Sequence, residues 1–382
     1  DQEFLDLLDH PDDRVSMLVE ARIGHKASQA ETRAQRFLTI GRLYWPGCTV
    51  DVAGTPTIYE GEALAMPVPL KYSGAHTHRL SGDWKLNMQN LPRGGQLRRA
   101  LEAPPGHKVV TIDLSQIEAR GVAWIAGDEK LTGLFASGED VYSSFASEVY
   151  GQTITRENKV ERQLGKTCIL GLGYGMGRPR LHGQLQLSGV DVDEPTAARA
   201  HSTYRQEYRQ VPRLWNVLSD IVIPMLAEVK TKAYPLLPLL DTANAEQKLK
   251  RLDGVIIIHG SSLVLPSRLR LYYPNLEQEN GGSGYTYTTP RGTRRLWGGA
   301  LTENIMQSLA RILVMDAARR IRKRGYHFAL QGHDELVYVV REDDVDEASA
   351  VFMEEMTAVP DWAEGWPLAA EIGVGDNYLD AK

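Results

Sequence analysis

Cysteine is almost missing from this sequence: Cys48 and Cys168 are the two in 382 residues. They stand far apart and follow no metal-ligand spacing. That excludes a disulfide scaffold and a zinc ribbon, and reads as free thiols in a reducing compartment. No apolar run approaches the ~20 residues needed to span a bilayer, so no membrane is expected as a partner. No signal peptide is visible and the first residue is Asp rather than Met, so the chain reads as a fragment or trimmed piece whose start is not given. An excess of positive charge is lacking too. The formal net charge is −6, and the overall balance does not by itself suggest a polyanion partner.

What is there is an ordinary globular composition, 42% hydrophobic and 24% charged, enough for two or three domains or one large body with lobes. The charge is unevenly spread. Arg79, Lys85, Arg93, Arg98 and Arg99 fall in one short region, Arg291, Arg294 and Arg295 in another, and Arg311 to Arg324 contains six basic residues. Acids gather elsewhere, as in Glu342-Asp343-Asp344. A basic groove on an acidic body suits nucleic acid, although solvated helix faces account for many such runs.

In chain order, residues 1–40 read as helical, and 41–75, broken by Gly and Pro, as short strands and turns. The stretch from Tyr72 to Arg93 is rich in amides and guanidinium groups, which suits either a polar surface loop or donors aimed at a nucleic-acid backbone and groove edges. Helices follow through Tyr150, and amphipathic helices over 195–230 use Tyr204, Tyr208, Leu214, Trp215, Leu218 and Ile221 as apolar positions. Residues 231–300 are less regular, with a β-rich run Val255-Ile256-Ile257-Ile258. A long helix is expected from about Leu301 to Arg324, presenting Glu303, Asn304, Gln307 and Arg311 on neighbouring turns.

Three constellations carry chemistry. Val109-Val110-Thr111-Ile112 runs into Asp113, which reads as a buried strand delivering a carboxylate to its end, where it can hold a hard cation, before a turn into a helix. Arg162, Lys166, Leu170 and Tyr174 recur every four residues, so on a helix they form one slowly rotating stripe: two cations for a triphosphate, then groups to stack a base. The bland alternative is an exposed cation pair beside core residues. Glycines at 165, 171, 173, 175 and 177 speak against it, since each weakens a helix by up to ~1 kcal/mol. They suggest close approach of a ligand, or a helix that moves. Finally, Phe328–Val340 has two apolar runs flanking His333-Asp334-Glu335, the pattern of a β-hairpin. Beside Asp113, its tip offers a second carboxylate for a pair of divalent cations that clamp a phosphoryl transfer.

These stretches resemble motifs A, B and C of the family A DNA polymerases. Asp113 to Arg120 is similar to Asp-Tyr-Ser-Gln-Ile-Glu-x-Arg, with Leu114 in place of Tyr. Arg162, Lys166, Tyr174 and Gly175 match Arg-x3-Lys-x7-Tyr-Gly, and His333-Asp334-Glu335 matches motif C. Thr77 to Pro92 resembles the family's Thr-Gly-Arg-Leu-Ser…Asn-Leu-Gln-Asn-Ile-Pro segment, with His78 replacing Gly. Gln307 resembles the Gln of the primer-template helix, and Glu371 to Asn377 the C-terminal strand. The similarity runs from about residue 15 to the end, and its wording is nearest to phage members.

The resemblance implies an α+β right hand: an antiparallel-sheet palm, helical fingers and a partial helical thumb. The expected divisions are 1–70 thumb base and connecting strands, 71–115 first part of the palm, 116–295 fingers and insertions, and 296–382 second part of the palm. It implies a template-directed DNA polymerase of viral or phage-type replication, in the cytoplasm of a host cell. Two Mg²⁺ ions, with Mn²⁺ as a substitute, would sit on Asp113, Asp334 and the Leu114 carbonyl, with Glu335 beside them. Lys166 and Arg162 would contact the incoming triphosphate, with Lys166 a general acid on pyrophosphate. Leu170, Tyr174, Gln116 and Tyr142 would line the nucleotide site, and Glu118 would be the steric gate against a ribose 2′-hydroxyl. Arg79, Asn87, Gln89, Asn90, Arg93, Gln307, His333 and Gly175 would face primer-template DNA. The partners implied are primer-template DNA, dNTPs and separate replisome or processivity proteins.

Departures limit this transfer. Leu170 stands where the family has Phe or Tyr, and Tyr142 where polymerase I has a phosphate-touching His. No acidic motifs of a proofreading exonuclease are visible and only the base of a thumb is expected, so neither 3′→5′ exonuclease activity nor high processivity is expected. Three other readings stay open. A single-subunit RNA polymerase shares the motif B logic, although Glu118 and His-Asp-Glu rather than His-Asp-Ser favour DNA synthesis. A non-catalytic DNA-binding relative would be expected to lose a metal carboxylate, and both are present. An inactive fragment would fold yet fail to hold DNA without the missing upstream part.

Overall fold

The Asp113 strand lies inside a four-stranded antiparallel sheet, flanked by the two strands nearest the carboxyl end of the chain. A computed structural model describes residues 31–40, 67–92, 94–228, 256–279 and 284–382, with isolated helix positions between 14 and 19 and strand backbone at Thr49–Val52, Thr55–Ile58 and Ala233–Pro235. Much of the expected thumb base, Cys48 and Arg93 lie outside the described residues. In the central sheet the order is Phe328–Gly332, Glu335–Arg341, His107–Leu114, Ala370–Gly375.

Side-chain alternation gives this sheet two dissimilar faces. Val110, Ile112 and Leu114 point into the main core, which Leu336, Tyr338, Val340 and Phe352 share. Burying each aliphatic chain there contributes about 1.5–3 kcal/mol. Val109 instead joins a smaller cluster with Leu86, Met88, Leu91, Leu330, Val337 and Tyr378. The register pairs Asp113 with both Glu335 and Glu371. Alternation therefore gathers three carboxylates on the second face, at one end of the sheet. Both faces being covered is why His107–Leu114 reads as an apolar run rather than an alternating one.

A helical block leads away from Asp113: Ile117–Ala126, Glu129–Ala136, Val141–Tyr150, Lys159–Leu172, Arg178–Leu187, Glu194–Glu207 and Gln210–Val217. Acidic caps start two of these, Asp128 accepting from the Leu131 amide at 3.0 Å and Asp193 from the Thr196 amide at 2.9 Å. Tyr204 packs edge to face against both Phe145 and Tyr208 at the centre of the block, and Phe145 lies tilted to Tyr208, with ring centroids 5.1–6.1 Å apart. Small antiparallel sheets then carry the chain to the long helix Gly298–Lys323, which is sandwiched between this block and the central sheet. Mixed helix and antiparallel sheet agree with the α+β class expected.

Several local expectations need correction. The long helix begins at Gly298, three residues before the expected Leu301, because both its first residues are glycine for packing reasons: a Cβ on Gly298 would lie 1.9 Å from the Trp215 carbonyl oxygen. Arg311 is not presented to solvent; it is buried with its guanidinium over the Tyr72 ring, 5.3 Å from the centroid. The basic run beyond it is partly paired within the protein, Arg320 with Glu355 at 2.7 Å and Arg324 with Glu354 and Glu355. Arg98 is buried too, donating to the Leu91 carbonyl at 3.1 Å. Ile221 is exposed rather than apolar core. The β-rich run after 254 pairs as Ile257–His259, with Val255 outside the described residues.

Candidate functional site

The motif C hairpin is tight because His333 adopts a left-handed conformation, φ +53°, so His333 and Asp334 form the turn between Gly332 and Glu335. The Asp334 carbonyl accepts the Leu114 amide at 3.1 Å, fixing the turn beside the end of the Asp113 strand. Burial, then the neighbouring Asp113 charge, pushes the Asp334 carboxyl up to about 6. One oxygen of Asp113 and one of Glu335 are buried with no hydrogen-bond partner. Glu335 is not at the hairpin tip. It opens the second strand, is buried, and pairs with the Lys382 ammonium, which also lies 3.4 Å from Asp113. Burial alone would lower the Lys382 pKa, but its bonds to Glu335 and Asp113 raise it.

Lys382 reaches this point because the chain after Gly375 folds back over the sheet. The Thr111 hydroxyl donates to the Ala381 carbonyl at 2.5 Å, and a Cβ on Gly373 would meet that same carbonyl oxygen at 2.0 Å. Sequence reasoning missed Lys382, and a lone lysine past the Glu371–Asn377 segment offers no local signal. Among the described residues no group of three or more His, Cys, Asp or Glu forms a ready metal cage. The donor set is the carboxylate pair Asp113 and Asp334, with Glu335 adjoining.

Beside the carboxylates, Gln116 takes a left-handed conformation, φ +46°, and turns the chain into the Ile117–Ala126 helix. Glu118 lies in its first turn, where Arg79 forms an ion pair with one oxygen and the Tyr174 hydroxyl donates to the other at 2.6 Å. Burial and the Glu118 charge hold the Tyr174 phenol well above its ordinary pKa, so it stays a donor. Arg120 of the same helix is structural: its guanidinium donates to the Phe135, Pro367 and Gln116 oxygens at 2.9–3.2 Å.

Arg162, Lys166 and Leu170 do share the helix Lys159–Leu172, and Tyr174 follows just past its end. Leu170 is exposed and Lys166 half-buried. Arg162 donates to both oxygens of Asp140, at 2.6 and 3.2 Å, and lies over the Tyr142 ring, 5.2 Å from the centroid. Burial opposes ionisation of Asp140, but its bonds from Arg162 and Ser143 prevail and hold its pKa down. Tyr142 is buried, so its ring supports Arg162 from beneath. Two of the glycines answer to close protein neighbours: a Cβ on Gly165 would strike the Tyr142 carbonyl oxygen at 2.0 Å, and one on Gly175 the Trp297 ring at 2.7 Å, whereas one on Gly177 would meet nothing within 4 Å.

The polar stretch before the sheet splits into two roles. Arg79 joins Glu118 as described, and Asn90 is exposed with its oxygen 3.2 Å from His333 Nε2. Asn87, by contrast, caps the Gln89 amide, and Gln89 is buried, donating to the Gln331 backbone and side-chain oxygens at 3.0 and 3.1 Å. Gln307 accepts from Thr77 at 3.2 Å and donates to Glu303 at 3.0 Å.

Residues 68–223, which contain Asp113, Glu118, Arg162, Lys166 and Tyr174, match the family model described as DNA polymerase family A. The chain resembles that family over this segment, which ends before Asp334. Its curated relatives include the thermostable DNA polymerase I of Thermus filiformis, 28% identical over 300 residues, covering 78% of this chain and 30% of that protein. A Bacillus phage SP02 DNA polymerase is 28% identical over 301 residues, covering 74% of this chain and 43% of that protein. The chain therefore spans less than half the length of these family A relatives. Among solved structures, the POL domain of Pol1 from M. smegmatis, in complex with DNA primer-template and dNTP, matches with a TM-score of 0.60 at 18% identity, over 99% of this chain and 56% of that one. That likeness establishes the right-hand polymerase fold. The small sheets between Ala233 and Leu296 lie beyond the segment matched to the family A model. Asp140, which grips Arg162, was missed by sequence reasoning, although an acid just before a helix is a signal worth reading.

Proposed function

We propose that this chain is the catalytic part of a family A DNA polymerase that extends a primer 3′-hydroxyl with dNTPs on a DNA template. The observation that carries this is the placement of Asp113 and Asp334 at adjoining strand ends, with buried carboxylate oxygens of Asp113 and Glu335 lacking partners. Such a hard, anionic, under-satisfied oxygen set fits divalent cations, Mg²⁺ above all. When bound, two such ions would supply Lewis-acid stabilisation to the attacking and leaving oxygens.

The chain's own residues do the rest. Asp113, Asp334 and the Leu114 carbonyl would hold the ions. Arg162 and Lys166 bind and orient the triphosphate so that its α-phosphorus lies in line with the primer hydroxyl, and Lys166 gives a proton to the departing pyrophosphate. Glu118, fixed by Arg79 and Tyr174, fills the space a ribose 2′-hydroxyl would need. Asn90, His333 and Gln307 face the primer-template duplex. The division into palm halves at 71–115 and 296–382, fingers at 116–295 and thumb base at 1–70 belongs to the same reading. So does service in phage-type replication in a reducing cytoplasm, which the phage SP02 relative favours.

Primer extension with purified protein, a labelled primer-template, Mg²⁺ and either dNTPs or NTPs tests the proposal. Extension with dNTPs that disappears in Asp334→Ala is expected. Extension preferring NTPs would overturn it. No extension by a folded protein would mean that this segment needs the rest of the polymerase.

A further inference from the structure

Trp297 precedes the long helix and remains 41% exposed although its ring makes tight contacts with backbone. Those contacts are unusual. Ideal Cβ positions on Gly175 and Gly299 fall 2.7 and 2.3 Å from the six-membered ring, so both glycines are open seats for it. The same position on Gly299 lies 2.3 Å from the Tyr174 carbonyl oxygen. Gly175 itself is held at φ +72°, a conformation side chains rarely adopt. Trp297 is therefore pinned against the backbone of Tyr174 and Gly175, immediately behind the phenol that bonds to Glu118. The far rim of the six-membered ring thus has a rigid backbone seat, while the residue as a whole stays exposed.

We propose that Trp297 is an aromatic platform for an unpaired base of the template strand at the entrance to the active site. This rests on the polymerase reading above. A flat indole stacks on any base without regard to sequence, which is what a template entrance needs. The glycine seat makes that plane rigid, so little ordering remains for the moment of binding. Buried aromatic packing would not leave so much of the ring exposed. A protein partner is a poor match for a single indole set among polar catalytic groups, since stable interfaces need a far larger apolar patch.

The test is equilibrium binding of a fluorescent primer-template with a single-stranded template overhang, to wild type, Trp297→Phe and Trp297→Leu. Each is measured with a normal overhang and with abasic residues at the first, second or third unpaired position. On the normal overhang, Trp297→Leu should weaken binding about five- to a hundredfold and Trp297→Phe much less. With an abasic residue at the stacking position, wild type and Trp297→Leu should bind alike. Equal losses on normal and on every abasic template would overturn the proposal and leave Trp297 a structural support. No loss in Trp297→Leu would overturn it as well. A protein that binds no primer-template in any form would instead sink the polymerase reading. Leu keeps apolar volume on the glycine seat, and thermal melting checks that each variant is folded.

Discussion

The phenolic oxygen of Tyr174 lies 2.6 Å from Glu118 Oε2 and donates to it, while Arg79 grips the other carboxylate oxygen. A glutamate tied at both oxygens cannot swing aside for an extra hydroxyl. Glu118→Ala should therefore raise NTP incorporation relative to dNTP by at least about tenfold, or ~1.4 kcal/mol. Tyr174→Phe removes one tether and should give a smaller change in the same direction. Competition between dCTP and CTP in single-turnover extension measures both, and unchanged selectivity in Glu118→Ala would remove the gate from this site.

Asp334 should trade stability for function. Its carboxyl is pushed up to about 6 by burial and by Asp113, against an ordinary 3.8. The folded protein thus binds this proton more tightly than the unfolded chain. The stability it contributes is fully present below 3.8 and is lost as pH rises through about 6. In chelator, Asp334→Asn should be more stable than wild type at pH 7.5 by about 1–3 kcal/mol, with the gain disappearing near pH 3.5. The same variant should lose primer extension by at least about a thousandfold. Urea melts at the two pH values check the first part.

His201 works in the opposite sense. Burial, then Arg205 and Arg178, lowers its pKa to about 4 from 6.5, while the Met176 backbone favours the charged form only weakly. A depressed histidine contributes stability that is present above 6.5 and is lost as pH falls toward 4. His201→Gln should flatten the acid limb of the stability–pH curve over that window by about 2–3 kcal/mol at most. An unchanged slope in thermal melts from pH 7 to 4 would show that His201 charges freely in the folded state.

Leu170 is exposed on the helix that carries Arg162 and Lys166. A branched aliphatic chain offers no rigid plane under a nucleotide sugar. Leu170→Phe should sharpen selection for a 3′-hydroxyl, changing the ddNTP-to-dNTP incorporation ratio by at least about threefold, or ~0.65 kcal/mol. Indistinguishable ratios would separate this position from sugar recognition.

Gly373 lies under the returning chain, where an added Cβ would strike the Ala381 carbonyl oxygen at 2.0 Å. Gly373→Ala should cost about 1–3 kcal/mol by overpacking and should shift Lys382 away from Glu335. Lower thermal stability, together with a changed Mg²⁺ dependence of extension, is the expected outcome.

The sequence by itself determined the carboxylates Asp113 and Asp334, the strand that carries the first, the hairpin that carries the second and the helical stripe from Arg162 to Leu170. Each is a local pattern: an apolar run ending in an acid, two apolar runs around a polar turn, and a four-residue repeat. Such patterns are written within a few turns of chain, so reading along the chain recovers them. Only the tertiary structure decided which polar groups are free. Gln89 and Arg98 look like nucleic-acid ligands in the sequence, yet both are buried and bonded to backbone carbonyls. The Arg319–Arg324 run looks like a basic patch, yet Arg320 and Arg324 are paired with acids on the helix Val345–Thr357. Lys382 became part of the site because Gly373 and Thr111 let the chain fold back over the sheet. The partner of a polar side chain is set by contacts between residues distant in sequence, where pairing and burial are decided, and no local spacing records them.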